Sequence, residues 1–499
     1  MKRVPYAGCL ALLLVAPSIA NAQSKPPAKP QPPAKAQPKA PPASSSDAAL
    51  TVVTAPWKGD LDGMVKRRRI RALVPYSKTT YFVEKGVQRG ASYEALTAYG
   101  DQLNLKRKTG HLKTHIVFIA TPRDELFPAL LEGRGDIAAA ALTITADRKK
   151  VVDFTDPLAS GVKEIVVTGP QSPALATLDD LSGKEVYTRK SSSYWEHLED
   201  LNQRFAKERK APIKLRAAPE TLEDEDLLEM LNAGLFAIGV VDTYKFDLWS
   251  PVFKSVKGHR EITVSEGGDI AWAIRPGSPQ LKADLNAFVK THKLGTTFGN
   301  TIRRRYTAST RFVKNATAEA EIKKFNAVVE LFKRYGTQYN LDALLVMAQV
   351  YQESRLDQAA RSKVGAVGVM QVLPTTGKDM KVGDVHQLEP NIHAGVKYIR
   401  FMIDTYFKDE PMDAINKGLF AFAAYNAGPN RIRQLRKLTA QRGLDPNKWF
   451  NNVEVIVSEK VGAETVTYVS NIYKYYVAYT LLTEQEAERQ KAREAVKPQ

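Results

Sequence analysis

Apolar and polar positions change rhythm once along the body of the chain, and the change divides it in two. From about residue 66 to 302, "IRALVPY", "HIVFIA", "DIAAAALTI", "KEIVVTG", "EVYT", "FAIGVVD" and "DIAWAIR" are short apolar runs that read as strands. Between them, "YEALTAYGDQL", "RDELFPALLEGR", "SSYWEHLEDLNQRF" and "EDEDLLEMLNAG" have helical spacing. Strands and helices taking turns predict α/β architecture with mostly parallel sheet. A basic junction, "TIRRRYTASTRFVK", follows, and from about 318 to 482 nearly everything has the period of a helix. Gly336 and Gly428 stand where helix stops are expected, and Pro429 is placed to block continuation. The closing "EQEAERQKAREAVKPQ", residues 484–499, reads with Thr483 as a charged, frayed tail.

Composition sharpens this picture. At 499 residues the chain is too long for one ordinary domain, and 43% hydrophobic with 25% charged residues describes soluble globular material. A net charge of +18 points to an anionic partner: nucleic acid, a membrane surface or an acidic envelope polymer. The first 22 residues decide among these. Lys2 and Arg3, an apolar run near Leu10–Ile19 and Ala20-Asn21-Ala22 form a secretory signal peptide, whose apolar run is too short to span a bilayer. Export leaves no nucleic-acid partner and makes an anionic envelope polymer the better one; taken with the family resemblances given below, the expected location is the periplasm of a Gram-negative bacterium, with peripheral outer-membrane association left open. The sole cysteine, Cys9, precedes the apolar core, which argues against lipidation, and leaves the mature chain without disulfides. Residues 23–60 are Pro-, Lys- and Ala-rich linker. No metal or cofactor motif stands out.

The helical part carries the candidate chemistry. "LDALLVMAQVYQES" is apolar nearly all round, as in a helix buried mid-domain, and Glu353 lies at its carboxyl end. Helix dipole and apolar surroundings both disfavour a carboxylate there and raise its pKa. A carboxylic acid kept neutral near pH 7 suits protonation of a glycosidic oxygen. Spacing alone equally allows a solvent-facing glutamate at a helix end.

Four blocks add to that reading: "ESRLDQAARSKVGAVGVMQVLP", "NIHAGVKYI", "AYNAGPNRI" and "ETVTYVSNI". In this order the region resembles the goose-lysozyme-like soluble lytic transglycosylase domain. The resemblance implies that Glu353 protonates the bond between N-acetylmuramic acid and N-acetylglucosamine while the substrate's acetamido oxygen assists, with no second carboxylate. Glu353 then takes the proton of the 6-hydroxyl, which closes onto the anomeric carbon as a 1,6-anhydro sugar. It further implies that Ser362 holds the acetamido group, that Met370, Gln371, Tyr425 and Asn426 contact sugar, and that the Tyr468 hydroxyl lies close to the acid. Gly365 and Gly368 suit a turn at which backbone approaches the sugar.

The α/β part resembles the type 2 periplasmic solute-binding proteins of the amino-acid-binding kind, most specifically over "LLEGRGDIAAAALTITADRKKVVDFTDPL". That resemblance implies a bi-lobed domain over 61–305, with lobe 1 at about 66–168 and 266–302 and lobe 2 at about 169–265. Arg148, with Thr143 beside it, then clamps a ligand carboxylate, Asp242 binds an ammonium group, and Ser191 and Ser192 replace a glycine-threonine pair near the carboxylate. The expected ligand is a small carboxylate such as a muropeptide or amino acid. The two domains together resemble the membrane-bound lytic murein transglycosylase F family, departing from it in the proline-lysine linker and the missing lipid-attachment site. The expectation is a peptidoglycan lytic transglycosylase acting on glycan strands. A goose-type muramidase using Asp379 or Asp384 to activate water, and a murein-binding sensor without activity, are the alternatives.

Overall fold

In the computed structural model, residues 55–84, 87–306, 319–354 and 356–496 are described. The signal peptide, nearly all of the linker and most of the basic junction lie outside them.

The α/β half opens with α1 (Leu61–Lys66), β1 (Arg69–Val74), a β2–β3 hairpin (Phe82–Glu84, Val87–Arg89), α2 (Ala91–Lys106) and β4 (His115–Ala120). It continues with α3 (Leu126–Glu132), β5 (Ile137–Thr143), α4 (Ala146–Lys149), β6 (Asp153–Phe154) and β7 (Ala159–Thr168). Next come β8 (Glu185–Arg189), α5 (Ser193–Lys207), β9 (Lys214–Ala218), α6 (Asp224–Asn232), β10 (Ile238–Asp242) and α7 (Thr243–Trp249). The long β11 (Lys257–Ile274), α8 (Pro279–His292) and α9 (Thr297–Tyr306) complete it. The strand order is β4-β1-β5-β11-β7-β10-β8-β9, with β6 pairing on β11. β1 pairs in parallel with β4 and β5, and β8 in parallel with β9 and β10. These two parallel groups are the sheets of the two lobes. In β5, Ile137–Ala140 are fully buried, and the alanines leave room for helices on both faces.

β7 and β11 join the lobes. They pair antiparallel from Ala159↔Ile270 in lobe 1 to Thr168↔Lys257 in lobe 2, and their register slips repeatedly in between. The chain therefore passes between lobes inside β7, before the expected Thr168, because the strand continues into the second sheet as a partner of β10. Slipped register leaves few regular ladder bonds at the passage, which suits a bend.

The helical half holds α10 (Glu319–Gln338), α11 (Ala343–Ser354), α12 (Pro374–Met380), α13 (Leu388–Tyr406), α14 (Ala414–Ala427), α15 (Pro429–Gln441), α16 (Glu454–Lys460) and α17 (Ala463–Val496). Leu345 to Tyr351 of α11 are all buried, as an all-round apolar helix requires. Gly428, at φ +89°, ends α14, and Pro429 opens α15 directly behind it. Gly336 is not a stop: α10 runs through it to Gln338, and its missing side chain lets the helix lie against Leu341 and Ala343. Nor is the charged end a frayed tail. α17 carries it helically to Val496, and Arg493 pairs with Asp226 and Glu229 (2.8 Å to the latter) on α6 of lobe 2.

The two halves share one apolar cluster, in which Val117 and Ile119 of β4 join Tyr476 and Tyr479 of α17. The edge strand of the first lobe's sheet is thereby covered by a helix. Arg68 makes a bidentate bridge to the buried Glu454, at 2.6 and 3.0 Å, across the same boundary. Among the described residues no helix is long and apolar enough to cross a membrane.

Candidate active site and ligand cleft

Glu353 lies one residue from the end of α11, partly buried. Its Oε1 accepts a 2.5 Å hydrogen bond from the Tyr468 hydroxyl on α17. Burial pushes its carboxyl up to about 7, against the opposing effect of the Tyr468 bond. Among the described residues no cation and no second carboxylate enters the balance. Burial, together with the Glu353 charge, also keeps Tyr468 protonated far above the ordinary phenol range, so its hydroxyl remains a donor. The fully buried Gln349, one helical turn before Glu353, donates from Nε2 to the Tyr468 oxygen at 3.2 Å and fixes the ring's polar end.

The loop after α11 forms the facing wall. Ser354 Oγ donates to the Val369 carbonyl at 2.7 Å and ties this loop to the helix that carries the acid. Ser362 Oγ accepts from the Ala366 amide at 2.9 Å and closes a turn in which Gly365 sits at φ +88°. At Gly368, φ +77°, a Cβ would lie 2.4 Å from Asn391 Nδ2, so only glycine fits. Asn391, fully buried at the head of the second block, holds three strands of this wall at once. It accepts from the Met370 amide at 2.8 Å and donates to the Val367 and Val385 carbonyls at 2.9 and 2.8 Å.

Met370 itself is buried against Gly395, and it is its carbonyl that meets the site, accepting the Tyr425 hydroxyl at 2.9 Å. Gln371, at φ +48°, turns its amide back onto the Gly368 carbonyl at 2.8 Å. Asn426 accepts from the Thr465 hydroxyl at 2.6 Å, which fastens the end of α14 to the start of α17. Pairs among the expected residues thus join α11 to α17 through Glu353 and Tyr468, the loop to α14 through Met370 and Tyr425, and α14 to α17 through Asn426, while Ser362 and Gln371 bond within the loop itself. Gln349, Asn391 and Thr465 support these contacts without having been singled out; Asn391 and Thr465 stand inside two of the quoted blocks. Asp384 is turned into its own loop, accepting from the His386 amide and meeting its ring at 2.7 Å, which holds its carboxyl low. Asp379 is exposed.

The second group of expected residues lines a cavity of about 310 Å³ between the lobes. Arg148 is buried on α4, and its fork is already occupied. Nε donates to Glu196 Oε1 at 2.8 Å, Nη1 to the Thr143 carbonyl at 3.2 Å and Nη2 to the Ser191 carbonyl at 2.9 Å. Ser192 caps α5, accepting from the Trp195 amide at 3.2 Å, and Ser191 Oγ donates to Glu220 at 2.5 Å. Asp242 lies 2.8 Å from Lys245 Nζ, yet its Oδ1 has no hydrogen-bond partner among the described residues. Burial outweighs the lysine and raises its carboxyl. Ala141, at φ +51° in β5, bulges into the same cavity opposite a register shift in β11. Among the described residues no group of three or more acidic, histidine or cysteine side chains could hold a metal.

Comparison with known proteins agrees with this division. Residues 72–307 match the family model of bacterial extracellular solute-binding proteins, family 3, and residues 330–447 match the Transglycosylase SLT domain. The chain is 27% identical over 429 residues to a membrane-bound lytic murein transglycosylase F of Desulfosudis oleivorans, covering 82% of this chain and 89% of the relative. It is 27% identical over 442 residues to one of Pseudomonas fluorescens, covering 84% and 86%. An ancestral arginine-binding protein bound to arginine aligns with 48% of this chain and 97% of its own, at 21% identity and TM-score 0.39. With both domains present, in the order and over nearly the length of these relatives, the chain resembles the membrane-bound lytic murein transglycosylase F proteins from one end of the α/β domain to the helical domain.

Proposed function

We infer that the chain is a peptidoglycan lytic transglycosylase of the cell envelope, cleaving the β-1,4 bond between N-acetylmuramic acid and N-acetylglucosamine and leaving 1,6-anhydromuramic ends. The observation that carries this is Glu353, a carboxyl pushed to about 7 and hydrogen-bonded to Tyr468, with neither cation nor second acid acting on it among the described residues. A two-carboxylate hydrolase needs a separate base or nucleophile. The candidates for that role point elsewhere: Asp384 is engaged with His386 and Asp379 faces solvent.

In the proposed reaction Glu353 gives its proton to the glycosidic oxygen as that bond breaks, and the acetamido oxygen bonds to the anomeric carbon. The carboxylate then removes the 6-hydroxyl proton, the 6-oxygen displaces the acetamido oxygen, and no water is consumed. Tyr468 steadies the carboxylate between the two transfers, and Ser362 is the residue proposed to hold the acetamido group. The α/β domain takes a small amino-acid-like ligand with a free carboxylate, a wall fragment, and its binding modulates digestion. The enzyme works in the periplasm. Digestion of purified sacculi followed by mass spectrometry tests this: lyase products are lighter by one water than hydrolase products. Reducing ends in place of anhydro ends overturn the reading in favour of a muramidase.

A further inference from the structure

Arg148, the cleft residue expected to clamp a carboxylate, is satisfied by the chain's own groups, and two of them, Glu196 and the Ser191 carbonyl, come from the opposite lobe. Arg123 and Arg148 belong to lobe 1. Arg123 meets Glu223 through Nε and Nη2, each at 2.8 Å, and both side chains are at least nine-tenths buried. The Lys78 amide, also lobe 1, donates to Glu225 Oε1 at 2.6 Å. The Ser193 hydroxyl of lobe 2 lies 3.2 Å from the Thr143 hydroxyl of lobe 1. Arg148 reaches Glu196 on the first turn of α5. A basic rim on one lobe therefore faces an acidic rim on the other, and the contacts that a bound carboxylate would supply are already made.

We propose that the cleft closes without ligand through these acids, with Glu196 standing where a ligand's carboxylate would bind, so that an incoming carboxylate must displace Glu196 from Arg148. The inference rests on the reading that this cleft takes a carboxylate, and it adds how access to it is controlled.

The bridges differ in a way that assigns them different parts. In the Arg123–Glu223 pair both partners are shielded from water, at 9% and 4% exposure, so separating them strands two buried charges. In the Arg148–Glu196 pair the arginine is 7% exposed but the glutamate 31%. Glu196 can swing outward into solvent and rehydrate, while Arg148 stays in the cavity wall to receive another carboxylate. The first pair is a fixed clasp and the second an exchangeable one. The remaining cavity is not fully satisfied either. The unpartnered Oδ1 of Asp242, 1% exposed, requires a donor that the described residues do not provide. A ligand with a carboxylate and an ammonium group replaces Glu196 at one end and meets Asp242 at the other. Competition with a tethered carboxylate weakens the apparent affinity by the fraction of cleft in which Arg148 is free.

The full-length mature chain suits a direct test, because Cys9 is its sole cysteine and precedes residue 22. Spin labels on Lys207→Cys in lobe 2 and Lys290→Cys in lobe 1, both exposed positions, report the lobe separation. Without ligand, wild type gives one narrow distance. Glu196→Gln broadens it toward longer values, and Glu196→Gln with Glu223→Gln shifts it outright, circular dichroism confirming that both remain folded. A long, broad distance in ligand-free wild type, or a Glu196→Gln distribution as narrow as wild type, overturns the proposal. Calorimetry with D-alanyl-D-alanine, which carries one carboxylate and one ammonium, reads the competition. Glu196→Gln binds it at least about tenfold more tightly than wild type, and Arg148→Ala in either background loses it. Equal affinity in wild type and Glu196→Gln removes Glu196 from the ligand's place. If this dipeptide and L-glutamine bind no variant, the carboxylate-ligand reading falls, and closure without ligand is decided by the distances alone.

Discussion

Glu353 in the helical domain and Asp224 in the α/β domain are both carboxyls withdrawn from water, and they arrive at opposite states. Glu353 has a phenol for company, so burial prevails and its pKa rises to about 7. Asp224 is buried at least as deeply, but the Arg189 guanidinium at 2.5 Å and the Lys245 ammonium at 2.6 Å outweigh burial and hold it well below the usual carboxylate range. One acid keeps a proton it can give away; the other is a permanent anion that anchors two buried cations. Burial does not set the chemistry of an acid by itself. The presence or absence of a cation within hydrogen-bonding reach decides the sign.

The largest expected effect tests the proton. Glu353→Gln lowers sacculus digestion by at least about a thousandfold, within the range for loss of a general acid, while murein pull-down is retained. Wild-type activity itself declines about tenfold per pH unit above roughly 7, as the acid form is depleted.

The next tests set the two acids against each other through stability. Asp224→Asn leaves Arg189 and Lys245 short of their counter-charge and destabilises the α/β domain by about 3 kcal/mol, read as a lower denaturant midpoint. Its wild-type contribution is present above pH about 4 and lost as pH falls, because the folded-state pKa is depressed. Glu353→Gln has the opposite sign. The folded-state pKa is raised, so wild type binds an extra proton when folded, and stability falls as pH rises from about 4.5 to about 7. At pH 8 the glutamine variant is therefore more stable than wild type by on the order of 2 kcal/mol, and below pH 4.5 the difference vanishes. Equal urea midpoints of the two proteins at pH 8 would show that Glu353 is not strained toward its neutral form.

The smallest effect concerns the phenol. Tyr468→Phe removes the one hydrogen bond that favours the carboxylate, so the Glu353 pKa rises further and the alkaline limb of the pH–rate profile moves up by about one unit. A limb displaced downward would mean that Tyr468 favours the neutral acid instead.

The catalytic half was the more legible in sequence, for a physical reason. Its acid ends a helix that is apolar nearly all round, and most of its supporting residues fall in four local blocks. The α/β half hides more. β11 begins "KGHREITVSEGGD", a largely solvent-facing ribbon without an apolar run, so only its buried last third was recognised as strand. β9, "KLRAA", is a half-exposed edge strand with little hydrophobic signal. The pairing of Arg148 with Glu196 joins residues 48 apart on different lobes, and no spacing along the chain encodes it. The helical end of α17 was missed because its charges resemble a solvated tail, whereas one of them, Arg493, is matched to acids far away in sequence.

That last helix imposes a rule of phase on a stretch whose composition looks unconstrained. Tyr468 and Arg493 lie on the same continuous rod, about 37 Å apart at 1.5 Å per residue. Each residue turns the rod by about 100°, so adding or removing a single one between them swings Arg493 away from Asp226 while Tyr468 stays beside Glu353. Adding seven restores the angle but moves the arginine about 10 Å along the axis. The segment between Tyr468 and the lobe-2 acids is therefore fixed in length, acting as a ruler between two domains.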